Sequence, residues 1–381
     1  MGDRMKILFY RWNSIIEDEI GKCFDKLGFD VKNYNGKLSV KESCEEELVS
    51  LVKEIKNGGF SHVFSVDFKP IISKAVDLAG GKLIYISWNL TMPFDLSELA
   101  GLSYDFNKAF FYDRNYVEKL HKKGYKNTYH LPLATSIRPV ANNSPSYIHD
   151  FSMVASMYES DSLNLLSSVN KYLKGYIDGL VEFQRKLQGG NIIESCLADD
   201  IVEEINTCLM KKTDIGAFTK LSKSDIALCL SREVTRRERM KAFLLLENKV
   251  GTAIYSKDKV KGLDNTFMGG EISYDKTPDI YRNSKVNLNI SFSGIESGIP
   301  LRVLDIIGCG GLVCSNPQPE IFEYFTPNES IVTFDSIEEL MDKVIFLVNN
   351  DTVRNEIINE GMDIVKKAFS YEDRINHMFS F

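Results

Sequence analysis

The chain is poor in the spacings that metal, membrane and nucleic-acid functions need. It has seven cysteines and five histidines, yet no CxxC, HxH or HxxxH pair occurs. A zinc site is therefore not expected from spacing. The cysteines are scattered and odd in number, which fits reduced, mostly buried thiols in a cytoplasmic protein and not a disulfide framework. No apolar run approaches the length of a membrane span. The formal net charge of −7 lacks the basic excess of a general nucleic-acid binder. The opening MGDRMKILFYRW does not read as a signal peptide. Lys6 stands where a myristoylation signal wants Ser or Thr. No GxGxxG follows the first strand and no Walker loop occurs anywhere.

What is present is ordinary globular composition, 44% hydrophobic and 26% charged over 381 residues, enough for two domains. The first part reads as alternating strands and helices. Lys6–Tyr10 (KILFY) is a near-continuous apolar strand suited to a sheet covered on both faces. An amphipathic helix over Glu17–Leu27 ends at Gly28, and a second strand covers Phe29–Tyr34. Helix Glu45–Ile55, strand His62–Val66, helix Ile71–Leu78 and strand Leu83–Ser87 continue the alternation. Ala109–Tyr112 and Asn127–Leu131 add two more strands. This is the opening of a doubly wound α/β domain. Ligands of such sheets sit beyond the C-terminal strand ends. That places Trp12, Asn13, Asp67, Trp88 and Asn89 on one rim. The two tryptophans could stack on a sugar or peptide there, or simply cap the core.

Arg138–Ser146 (RPVANNSPS) has the composition of a domain boundary. Phe151–Ala155 (FSMVA) restarts an apolar strand, followed by the turn Ser156–Ser160. Leu163–Lys186, Ile192–Cys208 and Lys223–Glu247 are helical by period, and about 163–231 reads as a helical insertion. Arg232, Arg236, Arg237 and Arg239 alternate with Glu233 and Glu238. That pattern is mainly a solvated, salt-bridged face, from which one arginine could turn toward a ligand. Strand Lys249–Tyr255, the turn and extended piece Phe267–Tyr274 and a short helix Pro278–Ser284 follow. The chain ends in strand Ser330–Phe334, helices Ser336–Val348 and Val353–Phe369, and the segment Tyr371–Phe379.

The stretch Tyr281–Glu320 organises the second half. Lys285–Ser291 (KVNLNIS) is a strand, Phe292–Gly298 (FSGIESG) a loop, and Pro300 suits the first turn of a helix over Leu301–Cys309. Gly310 and Gly311 stop that helix, and Leu312–Ser315 is a short buried strand. Backbone N–H groups of Ser297, Gly298 and Ile299 would meet an anion at the helix start. Arg302 and Asp305 share one helix face. They could hold a phosphate and a ribose hydroxyl, or form an ion pair that only pins the helix.

SGIPLRVLDIIGCGGLVCSNPQPE resembles the donor-binding segment of bacterial glycosyltransferases of the GT-B fold, and more narrowly the spore-maturation CgeB-like proteins. The resemblance extends through YISW at Tyr85–Trp88, FYDRNYVEKL at Phe111–Leu120 and YHLPLAT at Tyr129–Thr135. It continues through DFSMVASMYES at Asp150–Ser160, YLKGYIDGL at Tyr172–Leu180 and SYEDRINHMF at Ser370–Phe379. It implies an α/β GT-B fold with two facing Rossmann-like domains, 1–146 on the acceptor side and 147–369 on the donor side. Residues 370–381 would form a helix returning to the first.

It also implies glycosyl transfer from a nucleotide-diphosphate sugar to a protein, glycan or small acceptor, with a UDP-sugar as the first expectation. No DxD metal motif occurs in the sequence. The leaving diphosphate would instead meet Ser297, Gly298, Ile299, Pro300, Leu301 and Arg302, with Ser156 and Tyr158 on its other side. Asp305 would take the ribose, one carbon shorter than the Glu of many relatives. Glu271, Ile272 and Tyr274 would contact the base. An inverting reaction needs a general base, for which Asp67 comes first and Glu17 or Asp95 next. Asn89-Leu90-Thr91 stands where an acidic residue is expected after YISW. A non-catalytic sugar-nucleotide binder and a sugar-nucleotide epimerase are the alternatives, and the oligomeric state is not readable.

Overall fold

The computed structural model describes residues 5–36, 44–92, 99–138, 146–159, 167–187, 190–210 and 220–380. Asp95 and residues 139–145 and 160–166 lie outside them. The chain forms two compact units, 1–136 with 369–381 and 137–368.

The first unit is built on a six-stranded parallel sheet of order β2-β1-β3-β4-β5-β6. Its strands are β1 (Lys6–Arg11), β2 (Asp30–Asn35), β3 (His62–Val66), β4 (Ile84–Asn89), β5 (Asn107–Phe111) and β6 (Thr128–His130). β1 and β3 are buried along nearly their whole length, as apolar strands covered by helices on both faces must be. The helix Pro70–Leu78 starts on Pro70, whose fixed φ and missing N–H suit the first turn. The helix Tyr371–Met378 belongs to this unit. Phe379, just beyond it, packs on Phe24, Phe29 and His62.

The second unit has another six-stranded parallel sheet, of order β12-β11-β10-β7-β8-β9. Its strands are β7 (His149–Val154), β8 (Thr252–Tyr255), β9 (Thr266–Met268), β10 (Ser284–Asn289), β11 (Val313–Ser315) and β12 (Val332–Thr333). The strand expected over 249–255 starts only at Thr252, and the one expected over 330–334 is two residues long. Between β7 and β8 run the helices Lys171–Gln184, Ile193–Cys196, Asp199–Met210 and Lys223–Leu246. The first three bury Leu173, Ile177, Ile193 and Ile205 in a satellite core with Ile226, Leu230 and Val234 of the last. The single helix expected over 192–208 is broken at Leu197, which is extended and fully buried in that core. Gly310, at φ 77°, ends the helix Leu301–Gly308. A Cβ on the next residue, Gly311, would lie 2.6 Å from the Tyr281 carbonyl oxygen.

Candidate functional site

In the second sheet the chain order reverses between β7 and β10, and that switch point is where an open α/β sheet holds its ligand. One arginine ties the two strand ends together. Arg239 donates from Nε and Nη2 to the Ile290 carbonyl oxygen, at 3.2 and 2.6 Å, and from Nη1 to the Ser156 carbonyl oxygen. Its guanidinium also lies 5.4 Å from the Tyr158 ring centre. Arg239 is 2% exposed, and among the described residues no carboxylate pairs with it. Burial and the neighbouring Arg302 pull its pKa down to about 10. Tyr158 and Glu238 act in the opposite direction but do not offset burial, and an anion beside the guanidinium would favour its charged form further.

Arg302 projects from the first turn of the helix Leu301–Gly308, and its Nη1 donates to Asn289 Oδ1 at 3.0 Å. Pro300 is the N-cap of that helix and makes no side-chain cap, and the helix begins at Leu301. Ser297, Gly298, Ile299 and Pro300 are buried. Ser297 Oγ donates to Glu320 Oε1 at 2.8 Å, and its carbonyl accepts from Glu320 N at 3.0 Å, which anchors the loop from behind. Asp305 is buried and accepts from the Tyr274 hydroxyl at 2.8 Å. The guanidinium of Arg138 stands 5.2 Å from the Tyr274 ring. Arg302 and Asp305 are thus held by different partners, Asn289 and Tyr274. Glu271 is exposed and Ile272 half-buried in the loop before Tyr274.

The turn Ser156–Tyr158 departs from expectation. Its donors already hold an internal anion: Asp258 Oδ2 accepts from Ser156 Oγ at 2.8 Å, from Tyr158 N at 2.9 Å and from Met157 N. These bonds outweigh burial and hold the Asp258 pKa below the usual carboxylate range. Tyr158 sits at φ 54°, which points the successive N–H groups to one centre.

In the first unit the rim residues are mostly structural. Trp88 is fully buried and packs edge-to-face on Tyr371, so it offers no stacking surface. Trp12 is half-buried, donates from Nε1 to the Val66 carbonyl at 2.6 Å, and carries Lys69 Nζ 3.7 Å from its ring centre. Asn89 is buried between Phe68 N and the Phe110 carbonyl. Glu17 is buried and accepts from Trp12 N and Asn13 N. Asp67, at φ 56°, accepts on Oδ1 from Leu90 N at 2.7 Å and Thr91 N at 2.9 Å, and burial raises its pKa.

On Lys223–Leu246 the expected salt bridges are present, Arg236 and Arg237 pairing with Glu233, Glu182 and Asp178, but the face is not solvated: both arginines are half-buried and Glu233 is buried. Arg239 is the exception, turned into the interior. Its signal was in the helical period: Thr235, Ala242, Phe243 and Leu246 are buried with it on one face. Asp258 and Glu320 carried no such signal.

The fold is that of the GT-B glycosyltransferases, with a six-stranded parallel sheet in each unit. Sucrose-phosphate synthase from Thermosynechococcus elongatus is similar at TM-score 0.55 and 11% identity, with 99% of this chain and 98% of that one covered. T4 phage BGT in complex with its UDP-glucose substrate is similar at TM-score 0.54 and 11% identity, covering 99% and 100%. Anabaena HepE in complex with UDP and glucose is similar at TM-score 0.52 and 10% identity, covering 99% and 100%. Residues 236–380, which include Arg239, Arg302 and Asp305, match the sequence model of a family described as glycosyl transferase-like. No curated protein matches the chain in sequence.

Proposed function

We propose that the protein is a glycosyltransferase that moves a sugar from a nucleotide-diphosphate sugar to a protein, glycan or small-molecule acceptor. The observation that carries this reading is the buried Arg239, without a carboxylate ion pair among the described residues, beside Arg302 at the switch point of the second sheet. Two guanidiniums and the start of the helix Leu301–Gly308 converge where a diphosphate would sit. Charge that develops on the leaving group meets donors already in place, which is the main catalytic contribution such a site can make.

In this reading Arg302 and Arg239 hold the diphosphate along Ser297, Gly298, Ile299, Pro300 and Leu301. Asp305, steadied by Tyr274, takes the ribose, and Glu271, Ile272 and Tyr274 line the base. Ser156 and Tyr158 shape the opposite edge through Asp258 and do not grip phosphate themselves. Asp67 is the proton acceptor of an inverting reaction, since burial moves its pKa in the direction a base near neutrality needs. The structural neighbours T4 phage BGT, in complex with UDP-glucose, and HepE, in complex with UDP and glucose, favour a UDP-sugar as donor. A second structure of T4 phage BGT holds UDP and Mn2+. In this reading Arg239 and Arg302 supply positive charge to the leaving diphosphate. The narrower likeness to CgeB-like proteins and a cytoplasmic location belong to the same proposal.

The test is a thermal-shift series with UDP, GDP, dTDP, CDP and their sugars, with EDTA or with Mg2+ and Mn2+. A ligand at one hundred times its Kd adds about 2.7 kcal/mol of stability. A base-selective shift that survives EDTA is expected. No shift with any nucleotide in folded protein overturns the reading. Asp67→Asn should lower kcat by about a hundredfold or more and leave donor affinity unchanged. Full turnover in that variant removes Asp67 as the base.

A further inference from the structure

A separate cavity of about 380 Å³ opens at the C-terminal end of the second sheet. Ile290, Asn316 and Phe334 line it, and each is the residue immediately after β10, β11 or β12. The helix Lys171–Gln184 and the residues after it, the helix Lys223–Leu246 and the start of the helix Ile337–Val348 supply the walls. The position is the ligand end of a parallel sheet, and the volume falls in the lower part of the ~300–1,000 Å³ range of small-molecule pockets.

Several polar groups of this cavity are not used by the protein. Arg185 Nε is buried and has no hydrogen-bond partner, although Nη1 of the same side chain is held by Glu182. Asn316 spends its Oδ1 on Ser291 N at 2.7 Å, and its amide nitrogen donates to nothing among the described residues. The Glu238 carboxyl is attracted by Arg185, Arg239 and Lys241 but makes no hydrogen bond among the described residues. Phe334, Ile337 and Ile290 supply an apolar surface between these groups.

The charges decide the class of ligand. Arg185, Lys186 and Lys241 face the cavity with positive charge, and Glu182, Glu238, Asp335 and Glu338 with negative. With three positive groups against four negative ones, an ion of either sign would meet several like charges. A molecule whose hydroxyls both donate and accept satisfies every group without that conflict. We infer that the cavity binds a compact uncharged polyol of the monosaccharide type. Its apolar ring face lies against Phe334 and Ile337, and its hydroxyls bond to Arg185 Nε, Asn316 and Glu238. The cavity adjoins the proposed diphosphate site at Ile290, whose carbonyl is held by Arg239, and its other lining residues are not among those assigned to the diphosphate. It stands on the cavity itself and not on the donor reading.

The test is saturation-transfer NMR titration of the full chain with D-glucose, D-galactose and N-acetyl-D-glucosamine. D-Glucuronate and D-glucosamine serve as the anionic and cationic comparisons, and UDP binding is followed separately by thermal shift. A neutral sugar should bind saturably and more tightly than the charged ones. Glu238→Ala and Arg185→Lys should each weaken it about tenfold, the scale of a lost hydrogen bond to a charged group, with the UDP shift unchanged. Arg185→Lys keeps the charge but removes the guanidinium, the buried Nε donor together with the Nη1 bonds to Glu182, so it serves as the second variant if Glu238→Ala fails to fold. The inference falls if no neutral sugar binds, if a charged sugar binds more tightly, or if neither substitution changes the affinity. Loss of UDP binding with sugar binding intact would count against the donor reading alone.

Discussion

Arg239 donates to the Ile290 carbonyl oxygen from both Nε and Nη2, so a single guanidinium fixes the end of β10 and reaches Ser156 after β7 with its remaining arm. The strand ends that flank the switch point are thus joined by a cation with no carboxylate partner among the described residues.

Arg302 tests this arrangement most cleanly, because its described hydrogen bond is a single one to Asn289. Arg302→Ala should weaken nucleotide-diphosphate binding by roughly 1.5–3 kcal/mol, a loss of about tenfold to a hundredfold. Isothermal titration with UDP measures it, and an unchanged affinity removes Arg302 from the site. Arg239→Lys keeps the charge and loses the forked geometry, so it should weaken binding as well and also lower the unfolding midpoint.

Asp258 holds the Ser156–Tyr158 turn through three donors. Asp258→Ala would leave the Met157 N–H without its partner and the Tyr158 N–H, at φ 54°, with only Ser156 Oγ at 3.2 Å. Urea unfolding should show a loss of about 2–4 kcal/mol. A loss under about 0.5 kcal/mol would mean that the turn holds itself, within the range of ordinary surface substitutions.

Glu238 gives the protein a pH signature. Burial raises its pKa to about 7, opposed by Arg185, Arg239 and Lys241 and assisted by Glu182. Asp335 and Glu338 face the same cavity. The folded state therefore keeps a proton that the unfolded chain gives up near pH 4.5. Stability from this group is present below that pH and is lost as pH rises through about 7. Glu238→Gln should be neutral near pH 4.5 and stabilising at pH 8 relative to the parent. Unfolding midpoints of both chains at the two pH values decide it, and equal differences at both would contradict the shift.

Gly311 lies under the Tyr281 carbonyl, with an added Cβ only 2.6 Å from that oxygen. Gly311→Ala should cost about 1–3 kcal/mol, since the backbone at the start of β11 has to move. Differential scanning calorimetry measures this, and an unchanged Tm would show that the segment yields.

The alternation of strands and helices was legible from hydrophobic period alone, because strands covered on both faces must be apolar and their helices amphipathic. The sequence also placed the loop Ser297–Pro300 ahead of its helix and put Arg302 with Asp305 on one face, since local spacing sets what a helix presents. Chain order could not tell which strands are neighbours, so the switch point at β7 and β10 came only from the tertiary structure. The partners of buried polar groups were also beyond reach, because they are 20 to more than 100 residues apart: Asp67 with Leu90, Asp258 with Ser156, Arg239 with Ile290. Packing buried Trp88, which the sequence left open as a stacking surface. It also singled out Arg239 from its charged run, because burying that one cation joins two strand ends that no local pattern links.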